Sequence, residues 1–453
     1  MLVVLSDLHL SEDKSTHIGI QKSYRNLSPD TYRSYLIELN QLAKANDIDH
    51  LDFVLAGDIL EITRSSVWLE TEKRPYIDND DVAPGSELEK IILDIMDKIA
   101  NEKRVAGTLE LFREIQNCFD LDVKLHLILG NHDRLLNATP VIRARVRELL
   151  GLEHSTSVIP SHLMINNWLG EPFCLVRHGH EYDPTNFSLN IQKLDKIPTE
   201  IPLSAYGKAC LGDIITIEYG ASLPWIFEQI YGEEAIQNDT HLLAMWQRLM
   251  EFDDVRPALA WSAYLFSTPG ISSRKAWTLL EPCFIEIINN LRDIEHFNKT
   301  LRDSEAVSDF VRIALMSSLK LGIFKKGIPF WLVNTLMKGV SSSVDLESQV
   351  QWAKKEALIL DKNSGCQCVI SGHTHFAEVA LISASQNAQR YYINSGTWRN
   401  VIPATNSLTE FGRLKGLTKV IVFPPGERGG EMKPGDWAFH SSSGFSFGNR
   451  RLI

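Results

Sequence analysis

Five short apolar runs in this 453-residue chain each stop abruptly at a cluster of residues able to bind a metal ion. Leu2 to Leu5 ends at Ser6-Asp7-Leu8-His9, and Leu51 to Ala56 ends at Gly57-Asp58. Val123 to Leu129 ends at Gly130-Asn131-His132-Asp133, and Phe173 to Val176 at Arg177-His178-Gly179-His180. Cys368 to Ile370 ends at Ser371-Gly372-His373-Thr374-His375. Short β-rich runs flanked by helical stretches read as buried strands of an α/β sheet. In open α/β sheets the site lies beyond the carboxyl ends of the strands, which is where all five clusters fall.

The rest of the chain supplies scaffold. Ser86 and Glu89 form a capping box ahead of Leu88, Ile91, Ile92, Ile95, Met96 and Ile99, the apolar stripe of a surface helix. Trp68 to Gly85, with the acidic run Asp78 to Asp81, reads as an exposed loop. Phe376 to Ile382, Arg390 to Ile393 and Thr418 to Phe423 read as strands, Asn394 to Thr397 as a turn, and the Gly/Ser/Pro-rich tail from Pro424 as loop. Between His178 and His373 the chain runs far beyond an ordinary connection, its periodicity is mostly helical, and six of the ten tryptophans fall there. Disordered linkers are poor in aromatics, so this is a folded helical insertion. The expected organisation is an α/β domain from residues 1–183 and 366–453, interrupted by a helical lid or specificity domain over 184–365. In the insertion, Val307, Phe310, Val311, Ala314 and Leu315 form a stripe ahead of Lys325-Lys326 and Phe330-Trp331, a pattern suited to domain core or to an acyl-binding helix.

Composition removes several classes of function. A net charge of −11 argues against a protein that coats nucleic acid through a general basic field. No stretch makes the uncharged apolar run that spans a bilayer, and Met1 to Leu5 runs straight into Asp7, leaving no room for a signal peptide. The six cysteines show no C-x-x-C spacing and read as reduced thiols, so the expected compartment is the cytoplasm.

Taken together, Asp7, His9, Asp58, Asn131, His178, His373 and His375 mix carboxylate, amide and imidazole donors. That mixture suits borderline divalent ions such as Mn²⁺, Fe²⁺, Zn²⁺ or Co²⁺ better than Mg²⁺ or Ca²⁺. It has too many ligands for one such ion and suits a pair sharing a carboxylate.

The order Asp-x-His, Gly-Asp, Gly-Asn-His-Asp, His and Gly-His-x-His resembles the calcineurin-like metallophosphoesterase superfamily over residues 1 to 183 and about 366 to 424. The resemblance implies a two-sheet sandwich flanked by helices and two divalent transition-metal ions, with manganese first and Fe, Zn, Co or Ni as alternatives. Asp7, His9 and His375 would hold one ion, Asn131, His178 and His373 the other, and Asp58 would bridge them. His178 is favoured over His180 because it completes the His-Gly pattern of the family, and Arg64, Arg134 and Arg399 are candidates to reach phosphate oxygens. His132 would act as general acid or charge stabiliser, with Asp133 orienting its ring. The implied activity is hydrolysis of a phosphoester or phosphoanhydride by a hydroxide held between the two ions. The implied substrate is small and phosphorylated, either a nucleotide or a lipid-linked phosphate. Ser6 to Leu10, Gly372 to His375 and the place of the insertion are similar to the UDP-2,3-diacylglucosamine pyrophosphatases, although His132 stands where those enzymes typically have arginine. A nuclease or cyclic-nucleotide phosphodiesterase, and a catalytically silent scaffold, are the alternatives.

Overall fold

The computed structural model describes residues 1–16, 25–167, 169–251, 254–256, 260–292, 349–385, 389–405, 407, 410–425 and 437–446. In chain order the strands among these residues are β1 (Leu2–Leu5), β2 (His50–Ala56), β3 (Asp122–Ile128), β4 (His162–Asn166), β5 (Pro172–Arg177) and β6 (Val255–Arg256), then β7 (Cys368–Ser371), β8 (Ala377–Ala384), β9 (Gln389–Ser395), β10 (Asn400–Pro403), β11 (Leu414–Phe423) and β12 (Ala438–Ser446). They make two mixed sheets. The first has the order β3-β2-β1-β11-β10-β6, with β12 paired to β11, and the second has the order β4-β5-β7-β9-β8. β1, β2 and β3 run parallel, and so do β5, β7 and β9. Each sheet therefore points the carboxyl ends of three strands the same way, and these ends carry the five polar clusters.

Alternation along the strands explains the layering. Val3, Leu5, Phe53 and Leu55 face helices Pro29–Ala45, Glu87–Asn101, Lys103–Arg113 and Pro140–Leu150, where they meet Tyr32, Leu36, Ile92, Phe112 and Val146. Leu2, Val4, Val54, Ala56 and Ile128 face the second sheet and pack on Phe173, Cys174, Val176, Cys368, Ile370 and Ile393. Both faces of β1 and of the Phe53 to Ala56 half of β2 are covered, so these stretches read as unbroken apolar runs, whereas the half-exposed His50 and Asp52 interrupt the start of β2. Helix Glu87–Asn101 starts where the capping box places it, with the Ser86 side chain accepting from the Glu89 amide. The carboxylate of Glu89 reaches one residue further back than the box implies, to the Gly85 amide.

Three sequence expectations change. The tail contains β12, which pairs with β11 from Lys415 opposite Ser446 to Phe423 opposite Ala438. Its Ser441-Ser442-Ser443-Gly444 centre has no apolar alternation, and ladder hydrogen bonds need none. The acidic loop is anchored: Asp78 accepts from the Ala209 amide at 2.9 Å and from Lys208 Nζ at 2.7 Å, and the Asn79 amide donates to Gly207 O. The insertion does not separate cleanly at 184 and 365. Helices Ser222–Tyr231, Thr240–Met250 and Ser273–Arg292 enclose their own core of Phe227, Met245, Trp246, Leu249, Leu280 and Ile287. Yet β6 joins the edge of the first sheet through β10, and Ala353 and Ile359 pack on Leu175, Val369 and Tyr392 of the second. Buried ion pairs Arg134–Asp213 and Arg399–Asp254, each 2.8 Å, tie the insertion to the scaffold. The stripe from Val307 to Leu315 and the Lys325-Lys326 and Phe330-Trp331 segment lie outside the described residues.

Trp398 keys the helix layer to the first sheet. Its ring lies 5.3 Å from that of Tyr32 and 4.9 Å from that of Tyr35, and its Nε1 donates to Thr418 O. Trp398→Ala should lower unfolding free energy by about 3–5 kcal/mol, as read by denaturant titration. A cost below about 1 kcal/mol would mean that the ring is not buried in this way.

Candidate metal centre

The candidate ligands stand on a strained backbone. Asp7, His9, Asp58, His373 and His375 have φ of 55°, 44°, 53°, 70° and 62°, and Asp47 is the other non-glycine residue with positive φ among those described. Such conformations cost about 1–3 kcal/mol each and persist only where surrounding contacts over-determine them. Those contacts are present. The amides of Asp7, His9 and Leu10 donate to the carbonyls of Gly57, Asp58 and Ile59, zipping the loops after β1 and β2 together. The Gly372 amide donates to His178 O at 2.7 Å, joining the loops after β5 and β7. Asn394 and Thr397, expected from sequence in one turn, lie at the end of β9 and just beyond it and add two more ties, from Thr397 Oγ1 to Asp7 O and from Asn394 Nδ2 to Gly372 O. Two motif glycines are needed for space: a Cβ on Gly130 would overlap the Asp58 carboxylate, and one on Gly372 would overlap Ser6 Oγ and the Asp7 carboxylate.

Both aspartates divide their oxygens. Asp7 Oδ2 accepts from the His373 amide and from Ser6 Oγ, and Asp58 Oδ1 accepts from the His132 amide. The other oxygens face the histidines. Asp7 Oδ1 is 3.3 Å from His375 Nε2 and 3.9 Å from His9 Nε2. Asp58 Oδ2 is 3.2 Å from His178 Nε2 and 3.7 Å from His9 Nε2. Ligand atoms of Asp7, His9 and His375 lie within 4.8 Å of one another, as do those of Asp58, His178 and His373. Asp58 stands between the two groups.

The donor set fits divalent ions by an independent criterion. Asp7 Oδ1, Asn131 Oδ1 and His178 Nε2 are buried without a hydrogen-bond partner, and buried polar atoms are otherwise almost always satisfied. Asn131 is turned by its amide nitrogen, which donates to Asn186 Oδ1 at 3.3 Å, leaving the oxygen as the unsatisfied atom. His178 donates Nδ1–H to Ala56 O, which leaves Nε2 on the Asp58 side. His180, the competing candidate, packs its ring against Phe187 and Tyr206, and its Nδ1 is also buried without a hydrogen-bond partner.

Two carboxylates that the sequence reading missed hold these rings. Glu61 Oε2 lies 2.8 Å from His9 Nδ1, and its Oε1 lies 2.8 Å from His132 Nδ1, so one side chain orients two histidines. Asp183 Oδ2 is 3.1 Å from His373 Nε2. A carboxylate behind an imidazole sets its tautomer and raises its basicity. Glu61 lies three residues beyond Asp58, a spacing that gains meaning only once the turn after β2 is known. Asp133 does not orient His132 as expected. Its oxygens accept from the amides of Ile59 at 2.8 Å and Gly130 at 2.6 Å, so it clamps the loops after β2 and β3. Arg64, Arg134 and Arg399 direct guanidinium nitrogens to Met250 O, Asp213 and Asp254.

The electrostatics follow from burial and these pairings. Burial holds His9 and His375 below the usual imidazole range, so both stay neutral with a lone pair available. Burial opposes ionisation of Glu61, but His132 and then His9 override it and bring its pKa to about 2. Burial likewise opposes a charge on His178, and Asp58 and Asp7 override it to raise the pKa to about 10, so a cation entering there competes with a proton. Asp133 moves the other way, up to about 7, through burial and the neighbouring Asp58 charge.

No protein-family model matches the sequence, and no curated protein matches it. What the centre can do therefore rests on its own geometry. Among the described residues no helix is long and apolar enough to cross a membrane.

Elemental analysis separates the two aspartate roles. Asp58→Ala should lower metal content at both groups, because Asp58 Oδ2 approaches histidines of each. Asp133→Asn should keep its metal while losing about 1–3 kcal/mol of stability through one weakened loop clamp. Wild-type metal content in Asp58→Ala would remove Asp58 from the shared position.

Proposed function

We propose that this protein is a dinuclear-metal-dependent phosphoric ester hydrolase. The observation that carries the reading is the joint placement of two three-residue groups of candidate ligands, Asp7, His9 and His375 beside Asp58, His178 and His373, with His132 fixed next to them by Glu61. The motif order that resembles the calcineurin-like metallophosphoesterases supports it, and so does the two-sheet α/β layering. Asp7, His9 and His375 would hold one ion, and Asn131, His178 and His373 the other, with Asp58 shared. Manganese is the first choice for this mixed donor set. When bound, a pair of divalent ions supplies Lewis-acid stabilisation of phosphoryl charge and lowers the pKa of water.

The chain's own groups then have distinct tasks. His132 Nδ1 donates to Glu61, so its Nε2 is the ring nitrogen available to the leaving oxygen. Glu61 stabilises the protonated ring and keeps it from turning, the condition for a general acid at neutral pH. The His132 amide donates to Asp58 Oδ1, so the acid and the shared carboxylate are held to one another by a single backbone bond. Asp183 and Asn186 orient His373 and Asn131 from behind.

A panel of phosphomonoester, phosphodiester and nucleotide-pyrophosphate substrates, assayed with Mn²⁺, tests the reading. Hydrolysis of at least one class should appear with manganese and vanish with a chelator. His132→Ala should retain its metal and lose about 10²–10⁴-fold in rate, with the larger loss on poor leaving groups. An equal loss for good and poor leaving groups would make His132 a charge stabiliser and not a proton donor. Inactivity of the metal-loaded chain on every class would sink the proposal.

A further inference from the structure

Arg256 is carried into the centre by the insertion. It ends β6, whose parallel pairing sets Ile402 opposite Val255 and Pro403 opposite Arg256. The Ala404 amide donates to Arg256 O at 2.9 Å. The segment is held twice more, by Asp254 paired with Arg399 and by Glu251 paired with Arg413. From this pinned backbone, Arg256 Nη1 donates to Val255 O, and Nη2 lies 2.6 Å from His375 Nδ1 and 3.1 Å from His375 Nε2.

A guanidinium is always charged in proteins. Set beside a residue that takes a cation, it adds repulsion, unless the centre also takes an anion. Its planar fork matches phosphate oxygens. Nη2 is within hydrogen-bond reach of both ring nitrogens of His375, so a cation taken by either nitrogen would meet the guanidinium, and the side chain has to swing off the ring for the group to fill.

We propose that Arg256 is a substrate-binding residue, which leaves His375 when the metal group fills and takes the non-bridging oxygens of the phosphoryl group. This rests on the phosphoesterase reading, and it makes the insertion part of the phosphate site as well as a cover over it.

The test uses the full chain loaded with Mn²⁺, inorganic phosphate as probe, and titration calorimetry beside elemental analysis. Arg256→Gln should weaken phosphate binding by about ten- to a hundred-fold, raise KM for an aryl phosphoester in step, and leave metal content and thermal midpoint unchanged. Arg256→Lys should restore part of the affinity, since an ammonium supplies charge without the fork. Phosphate affinity within twofold of wild type in Arg256→Gln would overturn the proposal. So would a metal loss that accounts for the weaker binding, because Arg256 would then be a prop for His375, and so would absence of phosphate binding by the loaded wild type. A wild type that binds manganese and phosphate but hydrolyses no ester would sink the phosphoesterase reading alone, and the calorimetry would still decide the role of Arg256.

Discussion

Everything at the centre depends on how Asp7 and Asp58 share their oxygens between backbone and site. Asp7 Oδ2 takes the His373 amide and Asp58 Oδ1 takes the His132 amide, so each carboxylate ties its own loop to a loop from another strand. The Asp7 bond crosses from the first sheet to the second. The remaining oxygens are thereby fixed against histidines from both sheets, and they have no freedom to turn toward water. A charged group buried in this way is tolerable only with compensating charge close by. The His178 imidazole supplies part of that compensation, and divalent ions would supply the rest.

The same logic accounts for the strain. Five left-handed candidate ligand residues cannot be stabilised by their own turns, so the stabilisation comes from cross-loop bonds such as Asp7 N to Gly57 O and Gly372 N to His178 O. Each of those two bonds joins neighbouring strands of one sheet, whereas His373 N to Asp7 Oδ2 and Thr397 Oγ1 to Asp7 O run from the second sheet to the first and close only when the two sheets have stacked. The inter-sheet core of Val4, Val54, Val176 and Ile370 is thus a requirement of the site as well as of the fold. The corrected role of Asp133 belongs here too. It is spent on two amides that hold the loops after β2 and β3, and the orientation of His132 passes to Glu61.

The insertion extends this scheme. Its core stands apart, yet it contributes β6 to the first sheet, takes Arg134 and Arg399 into buried ion pairs through Asp213 and Asp254, and brings Arg256 to His375. Arginines that read from sequence as free to meet a phosphate are largely committed to this docking. Arg256, which lies against His375, comes from the segment that sequence periodicity treats as a separate lid.

The sequence by itself determined the strand ends and the candidate ligands. Apolar runs with both faces buried are local signals, and a polar cluster that terminates such a run stands out without knowledge of its neighbours. The division into two sheets was not legible in the runs themselves and came only from what the motif resemblance implies, and β12 was not legible at all, since its Ser441 to Gly444 stretch is held by pairing with β11 and has no apolar pattern. Tertiary structure decided which side chain supports which. Glu61 behind His9 and His132, Asp183 behind His373, Asp133 on two amides and Arg256 on His375 are contacts set by distances between loops. Hydrogen bonds and ion pairs act over a few ångströms in space, and residue spacing along the chain carries that information only within one turn or one strand.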